Sequence, residues 1–332
     1  MRSFRFSRKM SMSFPGGFEI PNDRFMSSPN RDCVWITAAV FVVSLGAWTS
    51  ARSDLHRRIQ PQAPTAPTCR ISGRRVSVPD LREGSGVAAS RTRRGVLWAH
   101  NDSAQPVLVV LDEQGTIAGR VRVAGAEVDD WEDIAVGPCP QGSCVYIGDI
   151  GDNGGRRPHV TVYRAPEPRE GETATAPAEV FRAKYPDGAH DAESLFVTDG
   201  ADIFIITKGD PGPIALYRFP RPLRAGTVVQ LERVGEPLAQ KPDSTDRPTS
   251  ADVSHDGQWV AVRTTAYVAF YAAGDLTAGR WKEAFRTDVS SLGEPRGEGV
   301  TFGRDGSVFL VGEGGALRNS GTFARLACSF DR

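Results

Sequence analysis

The sequence predicts an all-β protein of the β-propeller type, with six blades expected and five the alternative, preceded by an N-terminal signal or membrane-anchor segment. Three observations lead there. The 332 residues include 35 Gly and 23 Pro, so turns are frequent. The runs between turns are short and rich in Val, Ile and Phe, and no stretch of the body keeps a helical period. A unit of about 45 to 60 residues with three or four strands recurs, which reads as a propeller blade rather than as sandwich strands or a βαβ unit.

Each unit opens with a small or acidic residue, an apolar run, a turn and a second β-rich run. Gly86–Ala89 leads to Gly95–Ala99, Glu132–Val136 to Val145–Gly148, and Glu193–Val197 to Ile203–Ile206. Ala251–Val253 leads to Trp259–Val262, and Glu298–Phe302 to Val308–Val311. The turns Asp199-Gly200, Asp256-Gly257 and Asp305-Gly306 place glycine where a tight hairpin demands positive φ. Third strands are expected at 107–111, 160–164, 215–218 and 268–271, and outer strands at 117–123, 179–183, 228–234 and 281–287. These units give five blades, and Gly321–Ala327 with Cys69–Val78 is expected to assemble a sixth from the two termini.

Ahead of the body, 1–32 reads as an n-region, 33–51 as a signal peptide or anchor, and 52–68 as a Pro-rich flexible linker. Val34–Trp48 is nearly all apolar and Thr49-Ser50-Ala51 would suit cleavage, so a secreted and an anchored form both fit. Arg52, Arg57 and Arg58 outnumber Arg24 and Arg31 across the apolar run, which by itself argues for a cytoplasmic body. The cysteines argue for export. Cys69, Cys139, Cys144 and Cys328 form an even set within 69–332, with Cys139–Cys144 and Cys69–Cys328 the expected bridges. A zinc site at Cys139 and Cys144 is the rival reading, but no second ligand pair accompanies them.

Lys plus Arg and Asp plus Glu number 40 each, so no overall field exists to hold nucleic acid. Partners are then an unidentified small molecule or an extracellular protein, with the membrane added if the N-terminal segment stays uncleaved. In a propeller the blade entries converge on the axis. Here they carry Glu132, Asp133, Glu193 and Glu298, and the second strand of one unit ends in Asp149 and Asp152. Hard oxygen donors in such number suit Ca²⁺, and these six are the candidate metal ligands; the bland alternative is that they cap strand ends. Lys208 and Arg263 are the cations expected near an anionic ligand, or else paired with these carboxylates. His100, beside Asn101 and Asp102, is the candidate general base, though no nucleophile motif accompanies it.

At DWEDIA (130–135), YIGDIGDN (146–153), DAESLFV (191–197) and GEGVTF (297–302) the chain resembles the exported bacterial six-bladed propellers of the phytase-like and esterase-like phytase group. That resemblance implies calcium ions bridging carboxylates and phosphate, with Glu132, Asp133, Glu193 and Glu298 at the acidic positions and Lys208 and Arg263 as phosphate-binding cations. The chain departs from the group at the first unit, where Ser85 stands at the acidic position. Two functions follow: a ligand-binding or interaction module with a Ca²⁺-type ion on its axis, or a metal-dependent hydrolase of phosphomonoesters or lactones.

Overall fold

The computed structural model describes residues 66–330 apart from 103–104, 211, 240–241 and 316–319; the assignments made for 1–65 lie outside them. The described chain begins with two short strands, β1 (Thr68–Ile71) and β2 (Val76–Val78). Antiparallel hairpins then follow one another. The first blade is β3 (Gly84–Ala89), β4 (Val96–Asn101), β5 (Val107–Asp112) and β6 (Ile117–Arg122). The second begins with β7 (Trp131–Cys139), β8 (Gly142–Asp149), β9 (Val160–Pro166) and β10 (Glu179–Lys184).

The third blade takes β11 (Ala192–Val197), β12 (Ile203–Thr207) and β13 (Leu216–Arg218). Its expected outer strand is divided. β14 (Val228–Gln230) pairs in parallel with β10 of the second blade, and β15 (Glu232–Val234) closes the third. The buried Leu231 between them marks the crossing. The fourth blade is β16 (Pro248–Val253), β17 (Trp259–Thr264), β18 (Tyr267–Ala272) and β19 (Glu283–Asp288). β20 (Arg296–Phe302), β21 (Ser307–Glu313) and β22 (Gly321–Ser329) start the fifth.

The propeller has five blades, not six. A sixth would need an innermost strand of its own, and among the described residues neither end of the chain supplies one. Instead β22 is the third strand of the fifth blade, and β1 and β2 both pair along β22 as its outer edge. The innermost strands β3, β7, β11, β16 and β20 are neighbours in that order, and β20 meets β3 to close the ring. Cys69 and Cys328 are direct partners in the β1–β22 register and form a disulfide, and Cys139 and Cys144 form the other. Both expected bridges are present, and such bridges point to an oxidising, extracytoplasmic setting. Among the described residues no helix is long and apolar enough to cross a membrane.

The core lies between blades rather than at the centre. Each of five apolar clusters joins two neighbours, as where Ile134 and Ile147 of the second blade pack on Trp98 and Val110 of the first. Inner strands are therefore covered on both faces, and every residue of β11 is buried. Outer strands such as β19 alternate half-buried with exposed residues. The sequence pattern of continuous apolar runs followed by alternating ones is the imprint of that stacking.

Candidate functional site

A bulge stands at the entry of every innermost strand. The hairpin register slips between Gly84 and Val87, Trp131 and Asp133, Ala192 and Ser194, Pro248 and Ser250, and Gly297 and Val300. An extra residue at a bulge re-aims its side chain out of the regular pleat. The residues so placed are Ser85, Glu132, Glu193, Thr249 and Glu298, which form one tier around the ring. Ser85 Oγ donates to the Glu132 carbonyl at 2.7 Å, and Thr249 Oγ1 donates to the Glu298 carbonyl at 2.8 Å.

The next residue along each strand lies in a tighter tier. Gly86 and Gly299 occupy two of its positions because the strands nearly touch: a Cβ on Gly299 would stand 2.8 Å from the Val87 nitrogen. Asp133 and Ser250 fill two others. Ser250 Oγ donates to Asp133 Oδ1 at 2.9 Å and accepts the Val300 N–H at 3.1 Å. Asp252, further along β16, accepts the Phe302 N–H at 2.9 Å and the Thr301 hydroxyl at 2.8 Å. These contacts run from blade to blade and hold the ring that presents the upper tier.

Charge in the upper tier is unbalanced. Burial raises the Glu132 pKa well above the usual carboxyl range, and the charges of Glu193, Asp130 and Glu298 add to the shift while Lys208 opposes it. Glu298 is raised in the same way, by burial and then by Glu193 and Glu313, against Arg296 and Arg263. Glu193 is raised by burial despite its ion pair with Lys208. Lys208 Nζ also lies 3.2 Å from Asp191 Oδ2. Burial alone would depress this lysine; Glu193 and Asp191 more than reverse that. Asp102, just beyond β4, is pushed up to about 7 by burial and by Glu83, Glu313 and Asp130. Carboxyls outnumber cations here, so the mouth holds protons or attracts positive charge.

Glu132, Glu193 and Glu298 thus share the axial tier. Asp133 belongs to the tier below, and its oxygens are taken up by donors from three strands. Asp149 lies at the rim, ion-paired with Arg157 at 2.7 Å and accepting the N–H groups of Asp129 and Asp130. Asp152 accepts the Arg157 N–H at 2.7 Å, and its own N–H donates to Asp191 Oδ1 at 2.7 Å. Lys208 is in the tier. Arg263 is instead fully buried between the fourth and fifth blades, where it pairs with Glu294 and donates to the carbonyls of Gly299 and Val311. His100 is also fully buried, edge-on to Trp131 at 5.7 Å; burial lowers its pKa to about 4.

Asp102, Asp130, Asp191, Arg296 and Glu313 complete the electrostatic site, and the sequence marks them only as polar strand ends. Their signal was position: each lies at the end of a second strand or within two residues of a bulged one. Among the described residues, no group of three or more His, Cys, Asp or Glu side chains is gathered to hold a metal ion. Beside the axial mouth, Asp129, Asp130, Asp152, Asn153 and Arg156 line an open depression of about 530 Å³.

No protein-family model matches the chain, and no curated protein matches it in sequence. Solved structures of similar fold include the PQQ-bound aldose sugar dehydrogenase of Streptomyces coelicolor, 12% identical, covering 80% of this chain and 100% of that one with a TM-score of 0.48. The soluble aldose sugar dehydrogenase of Escherichia coli is 12% identical over 78% of this chain and 99% of its own, with a TM-score of 0.46. A gluconolactonase of Xanthomonas campestris is 15% identical over 80% and 99%, with a TM-score of 0.40. At such values the likeness carries no argument about what this chain does. Nothing in these comparisons supports the resemblance to phytase-like propellers.

Proposed function

We propose that the protein is an extracytoplasmic ligand-binding propeller whose axial mouth takes up a cation or a cationic ligand, with Ca²⁺ the ion best suited to its oxygen donors. One observation carries this reading: Glu132, Glu193 and Glu298 are each more than nine-tenths buried on the same tier, and Lys208 and Arg296 are too few to neutralise them and their acidic neighbours. Such a group is stable only when protonated or bridged by positive charge. Ca²⁺ would be met by the Glu132 and Glu298 carboxylates with the Ser85 and Thr249 hydroxyls near by. Glu193 would stay with Lys208.

Thermal unfolding in EDTA and then with added Ca²⁺ tests the proposal, because an ion bound by the native state alone raises the Tm with concentration. The expected result is a calcium-dependent rise that Glu132→Gln and Glu298→Gln each abolish. No rise with Ca²⁺ would remove calcium from the reading. No rise with a small organic amine either would leave the carboxyls as a protonated cluster and overturn it.

A second reading, a metal-dependent phosphomonoester or lactone hydrolase, has one observation in its favour. Asp102 stands at the mouth, its pKa pushed up to about 7, and among the described residues its buried Oδ1 has no hydrogen-bond partner. A carboxylate at that pKa can take a proton from water at neutral pH. Release of p-nitrophenol from phosphate or acetate esters, lost in Asp102→Asn, would favour this reading; no turnover by the wild type would end it.

A further inference from the structure

Between the second and third blades, off the axis, lies a cavity of about 260 Å³ whose walls include Asp152, Arg157, His159, Lys184, Tyr185 and His190. Tyr185 and His190 are each 8% exposed, with their rings edge to face at 5.0 Å. Among the described residues, the Tyr185 hydroxyl and His190 Nδ1 are both buried without a hydrogen-bond partner. Two unmatched polar atoms on one wall are a costly arrangement for a structure that gains nothing from them.

The chemistry of the wall can be read atom by atom. His190 Nε2 lies 3.1 Å from Asp187 Oδ1, and the Tyr217 hydroxyl donates to the same carboxylate at 2.9 Å. With the ring hydrogen on Nε2 directed at Asp187, Nδ1 keeps a lone pair and accepts. Burial, with Tyr217 beside it, drives the Tyr185 phenol far above its usual pKa, so it remains a donor. Arg157 is already committed to Asp149 and the Gly151 carbonyl. Lys184 is exposed at the edge and has no ion pair among the described residues. Beside Asp152 and His159, the wall therefore offers a donor in Tyr185, an acceptor in His190 and, at its edge, the Lys184 ammonium.

We propose that this cavity is a binding site for a small hydroxylated carboxylate of about monosaccharide size, distinct from the axial mouth. Its carboxylate meets Lys184 at the rim, an oxygen accepts the Tyr185 hydroxyl, and a ligand hydroxyl donates to His190 Nδ1. Volume limits the ligand to roughly one sugar ring, and Asp187 orients His190 without touching the ligand. No metal takes part, so the site operates in EDTA whether or not the axial carboxyls bind calcium.

Calorimetric titration of the full chain with sodium glucuronate in EDTA is the test. Saturable binding is expected, weakened at least about tenfold in Tyr185→Phe, the loss that follows from one buried hydrogen bond of this kind. That variant removes only an unpartnered oxygen, so the unliganded Tm should hold or rise, which separates lost contact from lost fold. In the wild type the His190 ring ¹⁵N resonances should shift during titration. Absence of saturable binding, equal binding by Tyr185→Phe, an unmoved His190 ring, or equal binding of uncharged glucose would each overturn the proposal.

Discussion

Asp133 on β7 reaches Ala251 on β16 without an intervening side chain: its Oδ2 accepts the Ala251 N–H at 3.0 Å and, from β11 between them, the Leu195 N–H at 2.8 Å. One carboxyl thus fastens three of the five innermost strands. Its other oxygen accepts the Ile134 N–H and the Ser250 hydroxyl, both at 2.9 Å. The acidic residue one place along β7 from Glu132 ties neighbouring blades together, while Glu132 stands in the axial tier.

Asp133→Asn should therefore be far more damaging than its size suggests. An amide presents one acceptor and one NH₂, and whichever way it turns, the NH₂ faces a backbone N–H. Leaving one or two buried donors unmatched costs about 2 to 4 kcal/mol. Denaturant unfolding would report it as a fall in midpoint at unchanged slope. A near-neutral result would show that only one oxygen of Asp133 serves as acceptor, as expected for a protonated acid, a state that burial favours by raising this pKa.

The dependence of stability on pH should run opposite to ordinary acid denaturation over part of the range. Asp102 is held up to about 7 and Asp252 to about 6, in each case chiefly by burial, whereas both return to ordinary carboxyl values on unfolding. Between about pH 4 and 7 the native state then binds more protons than the unfolded chain, and stability falls as pH rises. Glu132, Glu193 and Glu298 are shifted in the same direction. We expect a higher Tm at pH 5 than at pH 8, with the upper part of the slope lost in Asp102→Asn. A Tm that falls steadily below pH 7 would mean that Lys208 and Arg296 hold the cluster ionised.

Much of this was legible in the sequence because blade stacking imposes a repeated pattern. The entries at Glu132, Glu193 and Glu298 recur at matching positions, and bulges keep such positions in register around a ring. Blade number was not legible, since β22 with β1 looks like a hairpin of its own until pairing with β21 is seen. Arg263 could not be placed either. Alternation puts it on the second strand, but only packing reveals that Glu294 and two carbonyls capture it before it reaches the axis. The Tyr185–His190 wall combines residues from an outer strand's end and an inner strand's approach, a pairing that no local motif records.

Turn chemistry shows a smaller departure that can be tested. Gly257 and Gly306 have φ of 69° and 83°, as their Asp-Gly turns demand, but at Asp199-Gly200 the positive φ falls on Ala201, at 57°. An alanine in the left-handed region costs about 1 to 2 kcal/mol, part of which glycine would return as unfolded-chain entropy. Ala201→Gly should accordingly stabilise the protein by about 0.5 to 1 kcal/mol and raise the Tm. A loss of stability would indicate that the methyl group's contacts outweigh the backbone cost.

The two disulfides should differ sharply in what they contribute. Cys69–Cys328 closes the chain over a sequence separation of 259, and Cys139–Cys144 over a separation of 5. If the bridges act by restricting the unfolded chain, the long loop is worth about 5 kcal/mol and the short one about 2 kcal/mol. The long bridge also pins β1 to β22, so the fifth blade loses its outer edge most readily when that bridge is gone. Replacing Cys69 and Cys328 together by Ser should lower stability by more than twice the loss seen for the Cys139 and Cys144 pair, and hydrogen exchange should quicken first in β1 and β22. Equal losses would place the stabilisation in local packing around each bridge rather than in closure of the ring.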